Sequence, residues 1–397
     1  MTRALRWALV TIAVLLVAVV AVGSVVLWPV FFPDSPRLRV PGGDSPGSVV
    51  AASDYGDLTV PMKLVRAQGA SITYVSTDPS GRPIRVTGTS FVPGGTPPQG
   101  GWPVVALAHG TTGIDQACAP SRSPELGGLL SIAQSLVGAG YAVAVPDYQG
   151  LGAPGVHPYL DSPTAGRDVL DAVRATRTVF GSVSARWAGF GSSQGGGVIW
   201  AADEESAGYA PDLTPLGVVA AAPAADVVGL VDKSIAGTLT SDQAPSLQLF
   251  IEAAARANPQ IVRDDYRSAN GARLWDTLSS CSAAAGANRA AAIAALRPGD
   301  IAPRTAEAAA RLRALLTSYA LPQRRASAPL LVLFGDADTF IDAAWTRAAV
   351  QRACALGDTI KAVEQPGRGH GDVDITTALP WLRDRFAGLP APTSCGR

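Results

Sequence analysis

Short, largely apolar runs recur along the chain at 103–108, 141–145, 187–190, 217–222, 330–334 and 359–363, several of them running into Gly, His or Asp. Runs of that length with little internal alternation suit strands buried on both faces. Between them lie stretches of helical length at 126–139, 164–179, 194–205, 343–354 and 375–386. Alternating strand and helix predicts an α/β fold, a mostly parallel sheet covered by helices on both faces. Two earlier segments differ. Residues 71–75 and 84–92 mix β-branched with polar residues on either side of Asp78-Pro79-Ser80-Gly81, which predicts a hairpin and an antiparallel start to the sheet. The interval 226–326 breaks the rhythm: it is Ala-rich, helical in periodicity around 247–255 and 305–316, and offers no convincing strand. It is predicted as a helical cap inserted between two sheet strands.

Between positions 7 and 32 no residue is charged, and the apolar run, interrupted at Gly23, Ser24 and Pro29, follows Arg3 and Arg6. It is long enough to cross a bilayer. A cleaved signal has an apolar core of about 7–15 residues before small residues at the cut; Ala21-Val22-Gly23 would serve, but the run is longer and continues past it. Residues 1–33 are therefore predicted to be an uncleaved membrane anchor, with a cleaved signal as the alternative. Arg3 and Arg6 favour a cytoplasmic N-terminus, an asymmetry that Arg37 and Arg39 weaken. Either reading exports the remainder, secreted or anchored to the outer face of the cell membrane. Residues 34–48, rich in Pro, Gly, Asp and Ser, are predicted as a linker to a domain spanning 49–397.

With 47% hydrophobic and 16% charged residues among 397, the chain can bury a full core and is not a disordered protein. The formal net charge is zero and no basic run occurs, which sets nucleic-acid binding aside. Lys63, Lys233 and Lys361 are the only lysines, and this Arg bias beside abundant Ala and Gly suggests a GC-rich bacterial genome. Cys118, Cys281, Cys354 and Cys395 show no C-x-x-C spacing, so zinc binding and thioredoxin-like chemistry are poorly supported. Export would oxidise them to two disulfides, and spacing leaves all three pairings open. No phosphate-binding glycine loop or metal-spaced His or Cys cluster is present, so no cofactor or metal is expected.

Gly191-Ser192-Ser193-Gln194-Gly195 matches G-x-S-x-G, in which serine sits on a tight strand-to-helix turn. With 42 glycines in 397 residues and Ser at a typical ~7%, roughly 0.3 chance matches are expected, so context must decide. Gly43-Asp44-Ser45-Pro46-Gly47 matches as well, but it follows no strand, and Pro46 lacks the N–H an oxyanion hole needs. Ser193 follows an apolar run and opens a small-residue helix, and is the candidate nucleophile.

A serine hydroxyl needs a base, and histidine ordinarily titrates near neutrality. Of His109, His157 and His370, only His370 lies downstream of Ser193, after the last predicted strand, in the chain order Ser, Asp, His. The acid belongs after the run 330–334, where Asp336, Asp338 and Asp342 compete. Asp336 follows the turn glycine and fits a loop-stabilising role, Asp342 reads as a helix N-cap, and Asp338 lies far enough along the loop to reach a histidine. The oxyanion donors are expected from the N–H of Gln194 and, in the loop His109-Gly110-Thr111-Thr112-Gly113, from Thr111, with Gly110 next. His109 and His157 are read as hydrogen-bonded structural residues, and Asp147 as a turn residue outside the site.

Ala108-His109-Gly110-Thr111-Thr112-Gly113 followed by Cys118-Ala119-Pro120-Ser121, then Asp147-Tyr148-Gln149-Gly150-Leu151-Gly152, Gly191-Ser192-Ser193-Gln194-Gly195-Gly196-Gly197 and Gly369-His370 form a set far more specific than any member. Over about 60–395 the chain resembles the secretory lipase family of α/β-hydrolases, typified by fungal lipase A enzymes and their actinobacterial relatives. The resemblance implies an α/β-hydrolase fold with an inserted helical cap (lid) that forms an acyl-chain tunnel. It implies lipase or esterase activity on acylglycerols or other lipid esters. It further implies that Cys118 pairs with Cys281, tying the oxyanion loop to the cap, and Cys354 with Cys395, pinning the C-terminal tail. A peptidase or acyltransferase on the same triad is the alternative, since fold and triad do not decide the acyl acceptor. A non-catalytic cell-surface binding protein is the remaining reading.

Overall fold

The computed structural model describes residues 2–32, 35–281 and 286–396. In chain order the first half forms α1 (Arg3–Phe31), β1 (Val49–Asp54), α2 (Val60–Leu64), β2 (Gln68–Thr77), β3 (Pro83–Val92), β4 (Trp102–Ala108), α3 (Leu130–Gly138), β5 (Ala142–Pro146), α4 (Ser162–Phe180), β6 (Val183–Ser192) and α5 (Gln194–Tyr209). The second half forms β7 (Thr214–Ala221), α6 (Gly229–Ala236), α7 (Gln243–Ala257), α8 (Ala269–Ser279), α9 (Gly286–Ala294), α10 (Ala306–Tyr319), β8 (Leu330–Gly335), α11 (Ala343–Ala355), β9 (Ile360–Gln365) and α12 (Ala378–Phe386). The strands make one sheet in the order β1-β2-β3-β5-β4-β6-β7-β8-β9. Strands β1, β2, β3 and β5 pair antiparallel, and every pair from β5 through β9 is parallel. This is the predicted α/β-hydrolase fold, a mostly parallel sheet with an antiparallel start.

The period of two along a strand divides the core. Val104, Ala106 and Ala108 of β4 pack with Val169 and Val173 of α4 and Trp200 of α5, whereas Val105 and Leu107 pack with Leu136 of α3 and Trp381 and Leu382 of α12. Each large apolar side chain so buried contributes roughly 1.5–3 kcal/mol. Several boundaries differ from the apolar runs. Strand β6 begins at Val183, four residues early, through the half-exposed Ser184, Ala185 and exposed Arg186. Helix α3 begins only at Leu130, because Gly127 (φ 64°) and Gly128 (φ 91°) lie in the left-handed region and break the helix. Helix α12 begins at Ala378 rather than 375. Strand β1 was not foreseen: it is an edge strand with a bulge between Val49 and Ala51, whose short apolar run Val49-Val50-Ala51-Ala52 gives way to the exposed Ser53 and Asp54.

Helices α6–α10 lie between β7 and β8, and among the described residues that interval holds no strand beyond a single bridge from Arg267 to Ile301. Leu247, Phe250, Trp275, Leu312 and Leu316 form a separate core there, and Ile114, Tyr159 and Ile341 join it from the loops after β4, β5 and β8. These helices thus sit over the carboxyl ends of the parallel strands, where open α/β sheets place their ligands. Disulfides join Cys118 to Cys281 and Cys354 to Cys395. Helix α1 is apolar and long enough to cross a membrane, with Pro29 its buried residue.

Candidate active site

Strand β6 must become helix α5 within one residue, and Ser193 makes that turn at φ 58° and ψ −122°. Positive φ is uncommon for a residue with a Cβ and persists only where the surroundings impose it. Here they do: the Ser193 N–H donates to the Ala221 carbonyl at the end of β7 (2.9 Å), and the Ser193 carbonyl accepts from Ala224 N–H (3.0 Å). The flanking glycines are sterically required. A Cβ on Gly191 would lie 2.0 Å from the Gly195 carbonyl oxygen, and one on Gly195 would lie 2.0 Å from the Ala108 oxygen. Ser193 therefore stands at the carboxyl edge of the sheet between β4 and β7.

His370 and Asp338 come from the loops after β9 and β8, which are bonded to one another. Ala337 N–H donates to the Arg368 carbonyl (3.0 Å), and Gly367 N–H to Asp336 Oδ1 (2.7 Å). His370 Nε2 is 2.9 Å from Ser193 Oγ and its Nδ1 is 2.8 Å from Asp338 Oδ2. A carboxylate only accepts, so Nδ1 carries the proton of the neutral ring and Nε2 is left to accept from the serine hydroxyl. The other Asp338 oxygen accepts the N–H groups of Phe340 (2.9 Å) and Ile341 (3.0 Å). The carboxylate is buried and fully engaged. Phe340 packs edge-on to the His370 ring at 4.7 Å between centroids.

Of the competing aspartates, Asp336 stabilises the loop as expected, and Asp342 differs from expectation. It occupies the N-cap position of α11, yet its side chain makes no capping hydrogen bond and pairs instead with Lys233 Nζ of α6 (3.0 Å). Ser45 lies with Arg174 and Asp212 around an open surface cavity, not with His370.

The loop after β4 lies against Ser193, since a Cβ on Gly110 would be 3.5 Å from the Ser192 carbonyl oxygen and 3.8 Å from Ser193 Cβ. Gln194 is the first residue of α5, whose N–H has no partner within the helix. Thr111 Oγ1 is 2.8 Å from the Tyr159 hydroxyl. His109 is buried, with Nδ1 2.6 Å from the Gly110 carbonyl and Nε2 3.1 Å from that of Asp147. Burial pulls its pKa down to about 4, and that of His157 to about 3, so both rings are neutral at pH 7. Asp147 is buried too and accepts from Thr87 Oγ1 (2.6 Å) and Ser121 N–H (2.8 Å), fastening the loop after β5.

Residues 128–394 match the model of the family described as secretory lipase, which is most of the chain. The chain belongs to the secretory lipase family. No curated protein matches it. In fold, the chain is similar to Candida antarctica lipase A in its closed state, at 16% identity over 91% of this chain and 88% of that one, with a TM-score of 0.69. It is also similar to a ligand-bound form of the rice cell wall degrading esterase LipA from Xanthomonas oryzae, at 17% identity over 86% and 96%, with a TM-score of 0.62. At such identities the likeness shows the fold, and family and fold together support ester hydrolysis.

Sequence reasoning passed over Phe340 on the histidine ring, Tyr159 on Thr111, and Gln243, whose Nε2 donates to the Phe340 carbonyl from α7 (3.0 Å). Phe340 could have been noticed as the large apolar residue two places after the acid. The other two are contacts between distant segments, with no local signal.

Proposed function

We propose that this protein is a serine hydrolase of carboxylic esters, acting on acylglycerols or other lipid esters. His370, oriented by Asp338, takes the proton of Ser193 as Oγ attacks the ester carbonyl. The N–H groups of Gln194 and Thr111 hold the oxyanion as it forms, where preorganised donors are worth most. His370 then returns the proton to the leaving alcohol, and water, activated by the same base, releases the acyl group. The observation that carries the reading is the continuous chain from Ser193 Oγ to His370 Nε2 (2.9 Å) and from Nδ1 to Asp338 Oδ2 (2.8 Å), with the serine held at positive φ.

Helices α6–α10 act as a cap (lid), a role supported by their three ties to the loops of the site. Lys233 pairs with Asp342, Gln243 donates to Phe340, and Arg256 of α7 pairs with Asp115 at 2.6 Å. The apolar α1 directs export, as an anchor on the outer face of the membrane or as a signal.

The test is turnover of p-nitrophenyl esters of increasing acyl length by the detergent-solubilised full chain, beside Ser193→Ala and with a matched anilide. The parent is expected to hydrolyse the esters and Ser193→Ala to lose about 10⁴-fold or more in kcat. The preferred chain length then distinguishes a lipid-sized from a short acyl pocket. Equal activity of parent and variant, or a preference for the anilide, defeats the reading.

A further inference from the structure

The loop joining β5 to α4 sends two buried side chains to the two segments that hold the proposed oxyanion donors. His157 Nδ1 is 2.9 Å from the Gln149 carbonyl, which only accepts, so Nδ1 carries the proton and Nε2 is an acceptor. Facing it at 3.3 Å is the side-chain Nε2 of Gln194, a donor. Two residues on, the Tyr159 hydroxyl is 2.8 Å from Thr111 Oγ1. We propose that His157 and Tyr159 are positioning residues for the oxyanion site, His157 fixing Gln194 through its amide and Tyr159 fixing Thr111 through its hydroxyl. The inference rests on the hydrolase reading and deepens it.

The physical case is one of preorganisation. The N–H of Gln194 is useful only in one orientation, set by the backbone at the foot of α5, and a side chain tethered at its far end limits how that residue can rock. The tether itself is rigid. His157 and Tyr159 are both almost fully buried, and a Cβ on Gly150 would lie 2.3 Å from His157 N, so the loop is folded back on itself. Tyr148, at φ 69°, stacks on His109 at 4.0 Å between ring centroids and donates to the His109 carbonyl, joining this loop to the one that carries Thr111. Protonation would turn His157 Nε2 from acceptor to donor and set it against the Gln194 amide. Burial, which holds that ring neutral down to about pH 3, prevents this. A single loop thus sets both donors, and neither His157 nor Tyr159 touches the reacting atoms.

The experiment is steady-state kinetics of the full chain on p-nitrophenyl butyrate with His157→Leu, His157→Gln, Gln194→Met, the His157→Leu/Gln194→Met double variant and Tyr159→Phe. The expected result is a kcat loss of about 10-fold in His157→Leu, Gln194→Met and Tyr159→Phe with KM within about twofold, as for an interaction made only in the transition state. The double variant should be no slower than the worse single one, and His157→Gln, which keeps an acceptor facing Gln194, should recover most of the rate. Unchanged kcat in Gln194→Met, multiplied losses in the double variant, or a loss confined to KM would overturn the proposal. If His157→Leu does not fold, Gln194→Met and Tyr159→Phe decide it, since both leave every backbone group in place. A parent that turns over no ester sinks the hydrolase reading and this one with it. An active parent with a dead Ser193→Ala and unaffected positioning variants sinks this one alone.

Discussion

Residues 43–47 and 191–195 carry the same G-x-S-x-G pattern and use their glycines for different reasons. At Gly43 and Gly47 the need is conformational, with φ of 120° and 82°, and Gly47 also lies on the Arg174 side chain. Ser45 follows no strand and precedes Pro46. At Gly191 and Gly195 the need is proximity: backbone oxygens lie where a Cβ would stand, because β6, α5 and the end of β4 converge there. In this second copy it is the serine, not the glycines, that takes the positive φ. A five-residue pattern acquires chemical meaning only where two backbones are forced together and the middle residue absorbs the turn.

The largest effect separating the two copies is on turnover. Ser193→Ala is expected to lower kcat by about 10⁴-fold or more, whereas Ser45→Ala should leave ester hydrolysis unchanged. Asp338→Asn should follow at about 10³–10⁴-fold in kcat, with Asp336→Asn far milder, because only Asp338 faces His370 Nδ1. Equal losses from the two asparagine variants would show that the acid has been misplaced.

A smaller contrast lies in stability. Gly195→Ala sets a Cβ against a backbone oxygen that cannot move without shifting β4, and is expected to cost about 3 kcal/mol in urea unfolding. Gly43→Ala meets mainly the Ser48 hydroxyl, and its cost, about 1–2 kcal/mol, comes from holding φ positive. A reversed order would mean that the elbow can relax and that its glycines are not sterically required.

The smallest effect concerns pH. Burial holds the imidazole of His109 down to about 4 and that of His157 to about 3, against 6.5 in the unfolded chain. Below pH 6.5 the unfolded state therefore binds the extra protons, so this contribution is complete above 6.5 and is lost as pH falls through about 4 and 3. Asp168 runs the other way: burial raises its carboxyl to about 8, so its contribution is complete below 3.8 and is lost as pH rises through 8. Between pH 7.5 and 4.5, His157→Gln should reduce the acid loss of stability by an amount on the order of 2 kcal/mol. An unchanged pH dependence would show that His157 is protonated in the folded chain. Residues 43–47 contain no histidine.

Much of the sheet was legible because its central strands are buried on both faces and so read as apolar runs. Strand β1 was not, since its four apolar residues stand at the edge beside a Pro- and Gly-rich segment, and neither was the polar lead-in of β6, since a half-exposed backbone ladder needs no apolar side chains. The break before α3 depended on Gly127 and Gly128, which a helical period passes over. For the site, Ser193 and His370 could be nominated by motif and chain order, and Asp338 by its place in the loop. The exclusion of Asp342 rested on a weaker argument than the Lys233 contact now supplies.

The sequence by itself determined which residues could serve: one serine in a strand-to-helix turn, one histidine downstream of it, an aspartate loop between them and four cysteines to be oxidised. Those are properties of order along the chain, set by apolar periodicity and by glycine. Only the tertiary structure decided which polar atoms meet. His370 reaches Ser193 across 177 positions, Gln194 reaches His157 across 37, and Thr111 reaches Tyr159 across 48. Contacts of that kind depend on how the loops at the carboxyl edge pack against helices α6–α10, where hydrogen-bond geometry within a few tenths of an ångström, and not residue type, separates a partner from a neighbour.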